Sequence, residues 1–293
     1  MHRDLRPATR RGLERSCEPA DPTGITAAPA FPGIERIEAR FFGAMFEPHR
    51  HDTYAIGVTL HGVQTFRYRG EQRFSQPGNI LVLHPDEMHD GAAATEAGLR
   101  YRMLYLEPAL LLRALENENA VLPFVSPPVF SDPKLSRALR AVLGSLDEGL
   151  DALFVDSAIA TIADGLARHA QQPNKPTTTL ARREVYRARD YLTANYTRAV
   201  GSAELERVTG LDRYALARQF RALFATSPHR FLVMRRLDHA RHLMAVGEPL
   251  AQIAGAAGFA DQSHFNRHFK RAYGVTPGRW LALLGAGRDS RRD

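Results

Sequence analysis

The last third of the chain carries one block of sequence twice. Gly210, Asp212, Arg218, Phe220, Pro228 and Arg230 are answered by Gly258, Asp261, Arg267, Phe269, Pro277 and Arg279. From the aspartate onward the copies keep a constant offset of 49 positions, whereas the glycines are 48 apart, so one copy has an extra residue in its turn. Two copies of one short unit constrain this region to a small module used twice, and they suggest a two-headed reader of a periodic ligand.

Each copy reads as a short helix, a glycine turn and a second helix opened by an aspartate, whose carboxylate can accept from free backbone N–H groups. That is a helix-turn-helix pattern. Leu216, Phe220 and Phe224 in one copy, and Phe265, Phe269 and Tyr273 in the other, recur at helical spacing and make a buried stripe. The opposite faces carry Tyr214, Ala217, Arg218 and Arg221 in the first unit and Ser263, Asn266, Arg267 and Lys270 in the second. Such faces suit a major groove. Arg218 and Arg267 have the fork that meets guanine, Gln262 and Asn266 the amide that meets adenine, and Tyr214 an edge for a thymine methyl. Arg221 and Lys270 read as phosphate contacts. The alternative for each arginine is a surface salt bridge. Between the units, Leu232 to Val246 reads as a connecting helix with Leu237, Ala240 and Met244 on its buried side.

At these residues the chain resembles the AraC/XylS family of bacterial transcription regulators. The resemblance runs from about Leu180 to Leu284 and is strongest from Gly258 to Pro277. Glu206 departs from the pattern, standing where the family has a small residue such as Ala254. The resemblance implies sequence-specific binding to double-stranded promoter DNA, and contact with RNA polymerase if the protein activates. Charge supports the same reading independently: from Leu180 onward there are 20 Lys and Arg against 10 Asp and Glu, and before it 19 against 22. A basic helical region joined to a mildly acidic one is the footprint of a duplex reader, because release of condensed counterions from phosphates drives binding.

The 293 residues, 44% of them hydrophobic, suffice for about two cored domains. No run approaches the roughly 18 apolar residues that span a bilayer. Residues 1–30, which include Asp4, Glu14 and Glu18, hold no apolar stretch that would make a secretory signal, and they read as a flexible leader or an over-extended start. Cys17 is the single cysteine, so no intrachain disulfide forms, which fits a cytoplasmic protein.

From Phe31 to Glu107 short β-rich runs appear, including Tyr54 to Leu60, Gln64 to Tyr68 and Asn79 to Leu83, broken by glycine turns. They indicate a small β-barrel or jelly roll. His49, His51, Pro77, Gly78 and His89 resemble the cupin pattern, and cupins commonly form the effector domain of AraC-family regulators. Residues 131–170 read as two supporting helices, one striped by Leu135, Leu139, Val142 and Leu146, the other by Ile159, Ile162 and Leu166. The family resemblance implies that some of this surface makes a homodimer. Residues 171–179 read as an exposed linker.

His49 and His51 fall on one face of an extended strand, and with His89 they offer three nitrogen ligands for a metal. Cupins that bind metal add a carboxylate shortly afterwards, whereas here Tyr54, Ala55, Ile56 and Gly57 occupy that region. The favoured reading is a metal-free, cofactor-free effector pocket lined by His49, His51, Tyr54 and His89, suited to a small polar or carboxylate-bearing ligand. Metal ligation by His49, His51 and His89 is the weaker alternative, and histidines simply bonded within the barrel a third.

The expectation is a multidomain α+β chain. It comprises a leader (1–30), a cupin-like effector domain (31–125), a helical support and dimerisation segment (126–170), a linker (171–179), an all-α double helix-turn-helix domain (180–285) and a flexible tail (286–293). The function expected is a ligand-sensing DNA-binding transcriptional regulator rather than an enzyme. A metal-dependent, dioxygenase-like cupin enzyme fused to a DNA-binding domain is the alternative.

Overall fold

The structure is a computed structural model that describes residues 23–115, 120–171 and 180–289. Cys17, most of the expected leader and nearly all of the expected linker lie outside the described residues. Its strands are β1 (Gly24–Ala27), β2 (Ile34–Phe41), β3 (Ala44–His49), β4 (Tyr54–His61), β5 (Gln64–Tyr68), β6 (Glu71–Ser75), β7 (Ile80–Leu83), β8 (His89–Ala93), β9 (Leu99–Leu106) and β10 (Val129–Phe130). They form two antiparallel sheets, β1-β2-β9-β4-β7-β10 and β3-β8-β5-β6. Of the two forms expected, β-barrel or jelly roll, this is the second: an open, jelly-roll-like sandwich of two sheets. β1 lies within the stretch expected to be a flexible leader: Gly24 to Ala27 pair with Arg40 to Ile37.

Strand alternation divides the six-stranded sheet between two cores. Ile37, Ala39, Phe41, Ala55, Leu81, Leu83, Tyr101 and Met103 face the space between the sheets. Ile34, Tyr54, Ile56, Val58, Ile80, Val82, Leu104 and Leu106 face outward, onto α1 (Pro108–Ala114), α2 (Pro133–Leu143) and α3 (Ala152–His169). Asp132 opens α2 by accepting from the N–H groups of Lys134 and Leu135, both at 2.9 Å, and His169 of α3 reaches the same carboxylate at 2.9 Å. At the other end of α2, Arg36 donates to the carbonyls of Val142 at 3.0 Å and Ser145 at 2.7 Å, satisfying groups that no helical N–H can reach.

The C-terminal region contains α4 (Arg182–Ala194), α5 (Ser202–Thr209), α6 (Arg213–Phe224), α7 (Pro228–Ala245), α8 (Leu250–Ala256), α9 (Gln262–Tyr273) and α10 (Pro277–Asp289). Helix pairs α5–α6 and α8–α9 are the two expected units, and α7 connects them. Their turns end on Gly210 at φ +75° and Gly258 at φ +82°, in the left-handed region that a side chain disfavours. Asp212 and Asp261 cap the second helices as expected, accepting from Tyr214 and Ala215 at 3.0 Å and from His264 at 2.7 Å. α10 continues past residue 286, where the tail was expected to begin.

The two regions share their cores. The cluster between the sheets continues through Met234 and Leu237 of α7, Phe265 and Phe269 of α9, and Trp280 of α10. Ala109 and Leu112 of α1 join the cluster of α4, α5 and α6.

Candidate functional site

Where the inner sheet faces meet α7, α9 and α10 they enclose a cavity of about 320 Å³. His49, His51 and His89 line it, and all three are buried. Their rings cluster, with His89 centred 4.3 Å from His49 and 4.9 Å from His51. Each ring is oriented by a backbone carbonyl: His49 Nδ1 donates to Glu47 at 2.8 Å, His51 Nδ1 to Thr53 at 2.9 Å and His89 Nδ1 to Glu87 at 2.9 Å. A proton on Nδ1 leaves Nε2 of the neutral ring as an acceptor. Burial holds all three below the usual imidazole range, His89 at about 4.

Tyr54 does not join them. Its ring faces the helical layer, packing on His84, and its hydroxyl donates to the Pro123 carbonyl at 2.8 Å. Ala55, next along β4, holds the cavity side. Nor do the histidines fit a metal: among the described residues no group of three or more His, Cys, Asp or Glu is placed to hold one. Asp52, the nearest carboxylate in sequence, instead accepts from Arg235 at 3.0 Å.

The DNA-binding region supplies residues that the sequence did not mark. Met234, Arg235, Asp238 and Arg241 of α7, Ala272 and Tyr273 of α9 and Trp280 of α10 complete the wall, opposite Glu35, Met103 and Tyr105 of the sheets and Glu107 at the start of α1. Arg241 forms a two-pronged ion pair with Glu35 and lies over the rings of Tyr273 and Trp280, at 5.0 and 4.9 Å. Arg235 meets Glu107 at 2.8 Å, Asp52 at 3.0 Å and Asp238 at 3.1 Å. Burial pushes the Asp52 carboxyl up to about 6, against the opposing pull of Arg235, and raises Asp238 as well. One sequence signal was present: Arg235, Asp238 and Arg241 stand three apart on one face of α7, charged where a simple connecting helix would be apolar.

The cavity is also joined to a recognition helix. The N–H of Glu47 donates to the Gly274 carbonyl at 3.0 Å, and that of Arg50 to the Arg271 carbonyl at 3.1 Å, so β3 and the residue after it cap the end of α9. Gly274, at φ +71°, lies so close that a Cβ there would sit 2.7 Å from His49 Nδ1.

On the outer face, Tyr214, Arg218, Arg221, Gln262, Ser263, Asn266 and Arg267 are exposed and Ala217 is half-buried. Lys270 differs: it is paired at 2.7 Å with Glu47 of the sensor. Glu206 accepts from the N–H of Arg213 at 2.9 Å and from its guanidinium at 2.9 and 3.0 Å, tying α5 to the first turn of α6.

Comparison with known proteins agrees with this architecture. A family model for the AraC-like ligand-binding domain matches residues 31–163, and one for a helix-turn-helix domain matches residues 205–282. The chain is 34% identical over 253 residues to the HTH-type transcriptional activator RhaS of Yersinia pestis (strain Pestoides F), a match spanning 82% of this chain and 91% of RhaS. It is 26% identical over 234 residues to the HTH-type transcriptional regulator YbfI of Bacillus subtilis (strain 168), spanning 78% and 85% of the two chains. The crystal structure of ToxT from Vibrio cholerae superposes with a TM-score of 0.63 at 14% identity, covering 86% of this chain and 99% of ToxT, a likeness of fold. With its ligand-binding sandwich, its paired helix-turn-helix units and a relationship to RhaS along most of both chains, the protein belongs to the AraC/XylS family of transcriptional regulators.

Proposed function

We propose that the effector of this regulator occupies the cavity between the sheets and α7, α9 and α10, and that occupancy changes how the second helix-turn-helix unit meets promoter DNA. The supporting observation is the hydrogen-bonded junction at Glu47 and Arg50: His49 lines the cavity on one side of this segment, and the end of α9 rests on the other. A ligand shifts such an equilibrium only through unequal affinity for its two arrangements, and a cavity walled by both regions is destroyed when they part. Promoter contacts are assigned to Tyr214, Ala217, Arg218, Arg221, Gln262, Ser263, Asn266 and Arg267, with Lys270 joining them once released from Glu47.

The reading is of a non-enzymatic, cytoplasmic regulator. No described helix is long and apolar enough to cross a membrane. Leu153 and Phe154, exposed at the start of α3, favour that helix for homodimerisation. If the protein activates, RNA polymerase is a further partner. His51→Ala and His89→Ala should lose inducer response in a reporter strain, with folding verified by circular dichroism. Full sensitivity in both variants would place the effector elsewhere.

A further inference from the structure

Given the reading that the cavity is the effector site, its wall assigns the effector's chemical class. Five carboxylates line it, Glu35, Asp52, Asp90, Glu107 and Asp238, against two guanidiniums, Arg235 and Arg241. Arg241 is engaged by Glu35, and Arg235 is the one guanidinium within ion-pair distance of Asp52, Glu107 and Asp238 among the described residues, the Tyr273 hydroxyl also donating to Asp238 at 3.3 Å. Arg230, behind this wall, is held by Asp86 at 2.7 Å. Asp90 accepts from the N–H of Arg67 at 2.6 Å, which leaves its charge uncancelled.

Asp238 is the most telling member of the group. It lines the cavity, and its side chain is 44% exposed although α7 is packed against the sheets. The imidazoles add acceptors and no charge. His51 Nε2 is buried without a hydrogen-bond partner, in a residue only 5% exposed that lines the cavity. Around these acceptors stand Tyr105, Tyr273 and Trp280, whose ring faces attract cations. The wall already holds one organic cation this way: the Arg241 guanidinium lies over Tyr273 and Trp280 while paired with Glu35.

We propose that the effector is an organic cation bearing N–H donors, an amine or amidine with an apolar body. Its charge meets the carboxylates gathered at Arg235, and an N–H donates to His51 Nε2. A buried carboxylate short of a counter-charge is unfavourable, so a ligand that neutralises it relieves that cost. A carboxylate ligand would meet the like charge of Asp52, Glu107 and Asp238 gathered at Arg235. ToxT, which shares this fold, is known with an unsaturated fatty acid bound.

The test uses three probes of one skeleton, phenethylamine, phenethyl alcohol and hydrocinnamate, titrated calorimetrically into the full-length protein. The amine should bind at least about tenfold more tightly than either of the others. Asp52→Asn and Glu107→Gln should each erase most of that preference, and Glu107, which is half-buried, tests the wall independently of the stability change expected at Asp52. Equal or tighter binding of hydrocinnamate, no binding by any of the three, or a preference unchanged in both variants overturns the cationic assignment. Ala55→Met, which lengthens a side chain on the cavity wall, separates the two readings: amine binding that survives it unchanged refutes the cavity as the effector site.

Discussion

Arg267 is exposed, and among the described residues no salt bridge engages it. Arg267→Ala is expected to cost about 1–3 kcal/mol on the cognate site and to relax preference at one base pair. Equal weakening on all sequences in a competition gel shift would make it a phosphate contact. Lys270 was read from sequence as a phosphate contact, yet it is held by Glu47, a residue no pattern on α9 could reveal. Both side chains are substantially exposed, so Glu47→Gln should change stability by no more than about 1 kcal/mol. It should also raise the salt dependence of DNA binding by the slope of about one phosphate contact. An unchanged slope would remove Lys270 from the DNA interface. Asp52 gives a pH signature. Its folded-state carboxyl lies at about 6, above the ordinary 3.8, so its contribution to stability is full below the lower value and lost as pH rises through the upper one. Asp52→Asn retains the neutral form's contribution, and urea melts should show it gaining on the order of 2 kcal/mol at pH about 7.5 and little near pH 4. A gain independent of pH would contradict the assignment.

At the scale of elements, the helix periodicities were legible because amphipathic helices write their buried stripe at a fixed spacing. Leu216, Phe220, Phe265 and Phe269 are all buried as that spacing requires. Tyr54 failed for a reason of strand parity. β4 begins at Tyr54, and alternation sends Tyr54, Ile56 and Val58 to the helices and Ala55 to the cavity; the turn after His51 resets the register that placed the histidines. Glu206 fits its helix pair by clamping Arg213 at the mouth of the turn instead of packing as a small residue. The end of α9 is the most sensitive element. Gly274→Ala puts a side chain at a left-handed residue, costing about 1 kcal/mol locally, and pushes it into His49 and the Glu47 carbonyl. The variant should bind operator DNA yet respond weakly or not at all to inducer in the reporter strain. A normal inducer response would show that this junction does not transmit.

For the whole molecule, one chain should protect two short DNA elements about 34 Å apart, in successive major grooves on one face of the duplex. A footprint confined to one element would contradict that. The sequence sets residues 180–285 apart as a domain, but Met234, Phe269 and Trp280 share a core with the sheets, and α6 shares one with α1. A fragment beginning near Leu180 uncovers that surface and should bind a hydrophobic dye and melt below the full chain. Equal melting temperatures would show the shared core to be dispensable.

The sequence by itself determined the duplicated helical units, their caps and outward faces, the β-rich character of the sensor and the cluster of three histidines. All but the last are local, each depending on the spacing of residues within one element; His89 stands forty positions from His49 and is grouped with it through the cupin resemblance. The tertiary structure alone decided that the sheets stay open, that Gly24 to Ala27 form a strand, and that α7 turns Arg235, Asp238 and Arg241 toward the sensor. The first two depend on pairing between separate strands, and the last on partners more than a hundred positions away, as Glu35 is from Arg241; no periodicity within one element records which distant charge completes a buried pair.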